Sequence, residues 1–158
     1  MIRDGVLLAL LRIGMGCVFL WAFLDKVFGL GFATTQDKSW LMGVSPTSGF
    51  LQFGTKGMFA SSFHTLSGNV AVDWLFMLGL LGVGVAFTFG IGMKIASYAG
   101  SLMMLLIYLS LFPPANNPLI DEHIIYILVL LYLGQADLRV WSLQNWWMSM
   151  GIIKRYPL

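Results

Sequence analysis

The sequence predicts an all-α integral membrane protein: a four-helix bundle with a long ordered loop between its first and second helices and a C-terminal interfacial amphipathic helix. Three observations lead there. Hydrophobic residues make up 58% of the 158-residue chain and charged residues only 10%, with a mean hydropathy of +0.83. Soluble domains carry about 25% charged residues, so only the membrane class fits. Four apolar stretches approach the length of about 20 residues that a spanning helix needs. The densest polar cluster, NNPLIDEH from Asn116 to His123, leads directly into the last of them.

The whole chain, 1–158, reads as a single transmembrane domain. The first helix is expected over about 5–28; it is too long for a secretory h-region and no small-residue cleavage site follows, so it reads as a retained span. Residues 29–69 form the only long connection, rich in Gly, Ser, Thr and Phe with single charges. They predict an ordered interfacial loop with short helices, in which Phe50, Phe53, Met58, Phe59 and Phe63 suit the bilayer surface. The second and third spans are expected over about 70–92 and 95–112, as an antiparallel hairpin around a tight turn at Gly92. Gly82, Ala86 and Gly90 in the second, and Ala96 and Gly100 in the third, recur every four positions and permit close backbone approach.

The fourth span is expected over about 118–134. Asn117 suits its N-cap and Pro118 its first helical position, where a missing N–H costs nothing. Asp121, Glu122 and His123 then fall in the opening turns, where the helix dipole favours carboxylates. Beyond Gly134, the segment 137–153 mixes Trp141, Trp146 and Trp147 with Arg139, Gln144 and Asn145, the pattern of an interfacial anchor and not of a fifth span.

Four spans put both termini and the turn between the second and third helices on one side, with Arg3, Lys94, Arg139, Lys154 and Arg155. Lys26, Lys38 and Lys56 lie opposite. The positive-inside bias therefore predicts cytoplasmic N- and C-termini in the cell membrane, and an outer face that collects Asp25, Lys26, His64, Asp73, Asp121, Glu122 and His123.

The small net charge of +2 and scattered basic residues exclude a nucleic-acid partner. The single cysteine, Cys17, excludes an internal disulfide or a CxxC redox pair and reads as a small packing residue. With two histidines and no paired-His motif, no metal site and no covalently bound cofactor is expected. Two candidate sites remain. The outer one comprises Asp25, Lys26, Asp121 and His123, joined by His64 if the long loop folds over the fourth helix, with Tyr126 one helical turn from His123 on the same face, able to hold a polar ligand or relay a proton. The inner one is Arg12, two turns into the first helix, where a charge costs about 2.5–3.5 kcal/mol unless it snorkels or finds a carboxylate, a carbonyl or an anion. Arg12 and Lys26 are ~21 Å apart along a helix, so they belong to different sites.

LLRIGMGCVFLWAFLDKVFG (residues 10–29) resembles the first-helix pattern of the DoxX/DoxD family, and NPLIDEHIIYILVLLYLG its fourth-helix pattern; RYP near the C-terminus also fits some members. The resemblance implies a four-helix membrane subunit of a quinone-linked oxidoreductase or respiratory-chain assembly, similar to the membrane subunit of thiosulfate:quinone oxidoreductase. It carries over Arg12, Lys26, Asn116, Pro118, Asp121 and His123. Quinone is then the expected substrate, bound by an apolar slot with hydrogen-bonding groups such as Asp121, His123 and Tyr126, and an oxyanion such as thiosulfate would seek Arg12 or Lys26. The bilayer and other membrane or redox subunits are the expected partners. No nucleophile, phosphate-loop or cofactor motif marks the chain as an enzyme by itself, so the rival expectation is a non-catalytic accessory subunit of a larger energy-transducing complex. A small-solute transporter fits less well, because no inverted repeat is evident.

Overall fold

The computed structural model of the chain describes residues 4–115, 117 and 119–150. Arg3, Asn116, Pro118, Lys154 and Arg155, which entered the expectations above, lie outside the described residues. The described chain is all-helical. Its three long apolar helices are α1 (Asp4–Phe28), α3 (Val70–Phe89) and α4 (Met93–Ser110), each long and apolar enough to cross a bilayer. This is a membrane protein. The short α2 (Ala60–His64) lies in the connection between α1 and α3, together with single helical turns at Gln36–Lys38, Trp40–Met42 and Phe50–Gly54.

α1 packs along α3, α3 along α4, and α4 along the shorter apolar helix α5 (Glu122–Gln135), whereas α1 and α5 barely touch. The core runs through these contacts: Phe19 of α1, Met77, Val83 and Phe87 of α3, and Leu130 and Leu133 of α5 are almost completely enclosed. The outward faces carry exposed Leu7, Val18, Leu75, Leu78, Leu102 and Leu128, as expected where the neighbour is lipid.

Where α1 meets α3, a Cβ on Gly16 would run into Thr88 and stand 2.9 Å from the Gly84 carbonyl oxygen, so this contact requires glycine. Gly82 does not share this role. It faces open space, and the close approaches are made by Gly79 against Met103 and Gly84 against Leu20, with Gly90, the C-cap of α3, against Ser142. Cys17 likewise is exposed on the outer face of α1 and packs against nothing in the core.

Several boundaries differ from the sequence expectation; α4, expected over 95–112, lies two residues earlier at both ends. α3 stops at Phe89, not Gly92, because Gly90 turns left-handed (φ 70°) and its N–H and that of Ile91 both return to the Ala86 carbonyl; Gly92, also left-handed, then starts α4. α5 starts at Glu122, four residues after Pro118. Asn117 caps a local turn, accepting from the N–H groups of Leu119 and Ile120, while Asp121 takes the N-cap and accepts from His123 and Ile124. With 14 residues α5 is ~21 Å long, short of the ~30 Å hydrocarbon core. The expected interfacial helix over 137–153 is reduced, within the described residues, to the six residues of α6 (Gln144–Ser149). Leu138 turns into the core, Trp141 adopts a left-handed φ of 50°, and the Ser142 hydroxyl donates to the Gly90 carbonyl, so 137–143 is pinned to the helix ends as a loop.

Candidate functional site

The charged residues of the membrane segments divide between the two ends of the bundle. At one end the start of α1 meets the end of α3. Arg12 is completely buried: Nη1 donates to the carbonyls of Phe87 (2.6 Å) and Thr88 (2.9 Å), and Nη2 to that of Trp141 (2.7 Å). Phe87 and Thr88 belong to the last turn of α3, whose carbonyls have no partner within the helix and carry the negative end of its dipole. A planar guanidinium reaches several of them at once. Arg12 therefore closes the end of α3 and ties the 137–143 loop to it. Snorkelling does not describe it, and its Nη atoms are spent on backbone.

The opposite end carries the loop, and three of its charges hold that loop in place. Asp25, 2% exposed, accepts from the backbone N–H groups of Phe32 (3.2 Å) and Ala33 (3.0 Å) and so fixes the turn that follows α1. Lys26 donates to the Pro46 carbonyl at 3.2 Å and lies 5.8 Å above the Phe76 ring. Asp73, in the first turn of α3, accepts from the hydroxyls of Ser45 and Thr47 on either side of that proline. The segment 45–47 is thus stitched to α1 and α3 by one lysine and one aspartate. The loop also reaches α4, where Lys56 N–H donates to the Ser110 carbonyl.

The same end holds the α5 start. Asp121 caps the helix through Oδ1, and its Oδ2 lies 2.8 Å from His123 Nδ1. The pair is largely enclosed, with side-chain exposures of 7% for Asp121 and 14% for His123. Because Oδ1 is used by the helix cap and Oδ2 by the imidazole, the carboxylate both starts the helix and orients the ring. That hydrogen bond assigns the Nδ1 proton, leaving Nε2 as the open position, and Nε2 makes no hydrogen bond among the described residues. Tyr126 follows one turn later, half-buried against the core beside Ile127. Glu122 is exposed. The Tyr108 hydroxyl donates to the Leu119 carbonyl and holds the approach to α5 against α4; sequence reading offered no signal for that tie.

Of the predicted site residues, the structure brings together Asp121 and His123, with Tyr126 one turn further along α5 and packed against the core. Arg12 lies at the other end, and the Lys26 ammonium is directed to Pro46 and Phe76, not to His123. His64 is exposed at the end of α2 and makes no hydrogen bond to His123 among the described residues. Asp121, Glu122 and His123 have ligand atoms within 4.8 Å of one another, but Asp121 is already committed to the cap and the imidazole.

Comparison of the chain with protein-family models, with curated proteins and with solved structures found no match.

Proposed function

We propose that this chain is a DoxX-like membrane subunit of a quinone-linked oxidoreductase. In this reading α5 serves as the fourth span, both termini are cytoplasmic, and the loop end faces outward. The observation that carries the reading is the Asp121–His123 pair: an imidazole oriented by a carboxylate, with Nε2 unpaired among the described residues, at the polar end of an apolar helix.

The chemistry suits a quinone. Reducing a quinone takes two electrons and two protons. The electrons are assigned to a redox-active partner subunit, since the sequence carries no cofactor motif. His123, protonated from the loop side, donates one proton through Nε2 to a quinone oxygen, and the aqueous phase supplies the other. In quinol oxidation the neutral ring accepts a hydroxyl proton at Nε2 as the electrons leave. In both directions Asp121 holds the ring orientation and stabilises the imidazolium. The apolar quinone ring would approach from the lipid along Tyr126 and Ile127.

The test compares His123→Ala with Glu122→Ala in the intact complex, measured as quinone reduction and quinone co-purification. Proton-transfer groups contribute about 10²–10⁴ in rate, so His123→Ala should lower turnover by that order while Glu122→Ala leaves it near wild type. Equal, negligible effects would favour the second reading, a non-catalytic accessory subunit. That alternative draws support from the engagement of Arg12, Asp25 and Lys26 with backbone groups.

A further inference from the structure

A second polar feature at the loop end lies outside the Asp121–His123 pair. Between the start of α3 and the Trp40–Met42 turn is a cleft of about 250 Å³, lined by Trp40, Ser45, Asp73 and Trp74 with Gly43 and Gly68 at its edge. The two indoles meet edge to face, with centroids 4.7 Å apart and planes at 72°, so they form an aromatic corner. Gly43 and Gly68 are both left-handed, and a Cβ added to either would meet nothing within 4 Å, which leaves that side of the cleft open.

Asp73 is the unusual member. It is only 6% exposed, yet no lysine, arginine or histidine among the described residues pairs with it. Its neutral donors, the Ser45 and Thr47 hydroxyls, both go to Oδ1, and Oδ2 makes no hydrogen bond among the described residues. Buried carboxylates are ordinarily paired with a cation, because hydroxyl donors do not cancel the charge. Lys26, which reaches the same 45–47 segment, is anchored to the carbonyl of Pro46.

A buried carboxylate with no ion-pair partner among the described residues, sharing a cleft with two tryptophan side chains, is what an organic ammonium ion requires: the acid supplies charge, and an indole supplies cation–π attraction that an inorganic ion with tightly held water uses poorly. The volume lies just below the range of about 300–1,000 Å³ usual for drug-sized ligands, which suits a small head group. We propose that this cleft binds a small organic ammonium group of the choline or ethanolamine kind, with Asp73 as counter-ion and Trp40 and Trp74 as its aromatic wall. The same chemistry is offered by a free amine and by a lipid head group.

The test is calorimetric titration of choline into the full chain, held in phosphatidylglycerol nanodiscs at constant ionic strength. Its neutral isostere, 3,3-dimethylbutan-1-ol, is titrated in parallel. Saturable choline binding is expected, with none for the isostere. Asp73→Asn should abolish binding. Trp74→Ala should weaken it at least tenfold, and because Trp74 is half exposed this variant should keep its fold even if Asp73→Asn does not. Equal binding of the isostere, absence of saturable choline binding, or unchanged affinity in folded Trp74→Ala would overturn the proposal. Repeating the titration in phosphatidylethanolamine discs separates the sources: competition that weakens choline identifies the lipid head group, and unchanged affinity identifies the free amine. The readout is binding and not quinone turnover, so it stands or falls independently of His123.

Discussion

The two ends of the bundle handle charge in opposite ways. At the Arg12 end a single cation is sealed from solvent and distributed over three backbone carbonyls from α3 and the loop after α5. At the loop end the charge is divided among several side chains, and the structure leaves acceptor or donor capacity on some of them, namely His123 Nε2 and Asp73 Oδ2. The comparison separates two meanings of an ionisable residue inside a membrane protein. Such residues are costly and so invite a functional reading, but the cost can be offset wholly by helix-end carbonyls. What distinguishes a site from a brace is hydrogen-bonding capacity left over outside a sealed interior: Arg12 Nε is also unpaired, but it is completely enclosed.

The sharpest way to break this comparison is Arg12→Leu. It leaves three carbonyls without their donor, and removing one side of a buried charged interaction costs about 3–5 kcal/mol, so a large fall in melting temperature or failure of assembly is expected. Arg12→Lys should recover only part, since an ammonium lacks the planar fork. Near-native melting of Arg12→Leu would show that the Arg12 end is no brace. Next in size is Gly16→Ala at the α1–α3 contact beside it. The added methyl meets backbone at Gly84 and Thr88, and overpacking of this kind costs about 1–3 kcal/mol; thermal unfolding monitored by circular dichroism would measure it. The smallest effect belongs to the loop end. His123→Ala should change melting by less than about 1 kcal/mol, because the cap on α5 is made by Asp121 and survives. A loss from His123→Ala as large as that from Arg12→Leu would erase the distinction between brace and site.

Much of this was legible in the linear chain. Membrane residence and the positions of α1, α3 and α4 follow from apolar runs of spanning length, because transfer of a helix into lipid is a local property that sums residue by residue. The Asp121–His123 pair was within reach as well, since its members are two residues apart and a helix start places them together. The sequence places the α5 start too early because Asn117, Asp121 and the Asn117–Pro118 step are competing start signals, and local propensity alone does not rank them.

What only the tertiary structure decided is which partner each polar group met. The carbonyls that receive Arg12 lie 75, 76 and 129 residues away, and the Pro46 carbonyl that receives Lys26 and the Ser45 and Thr47 hydroxyls that donate to Asp73 sit in a loop with no periodic signal. The tryptophan corner beside Asp73 joins residues from two separate elements. Hydropathy determines which segments enter the bilayer, because lipid offers every segment the same apolar surroundings. Hydrogen-bond partners depend on distances set by packing, because a buried polar group takes whichever complementary atom the folded chain brings within about 3 Å.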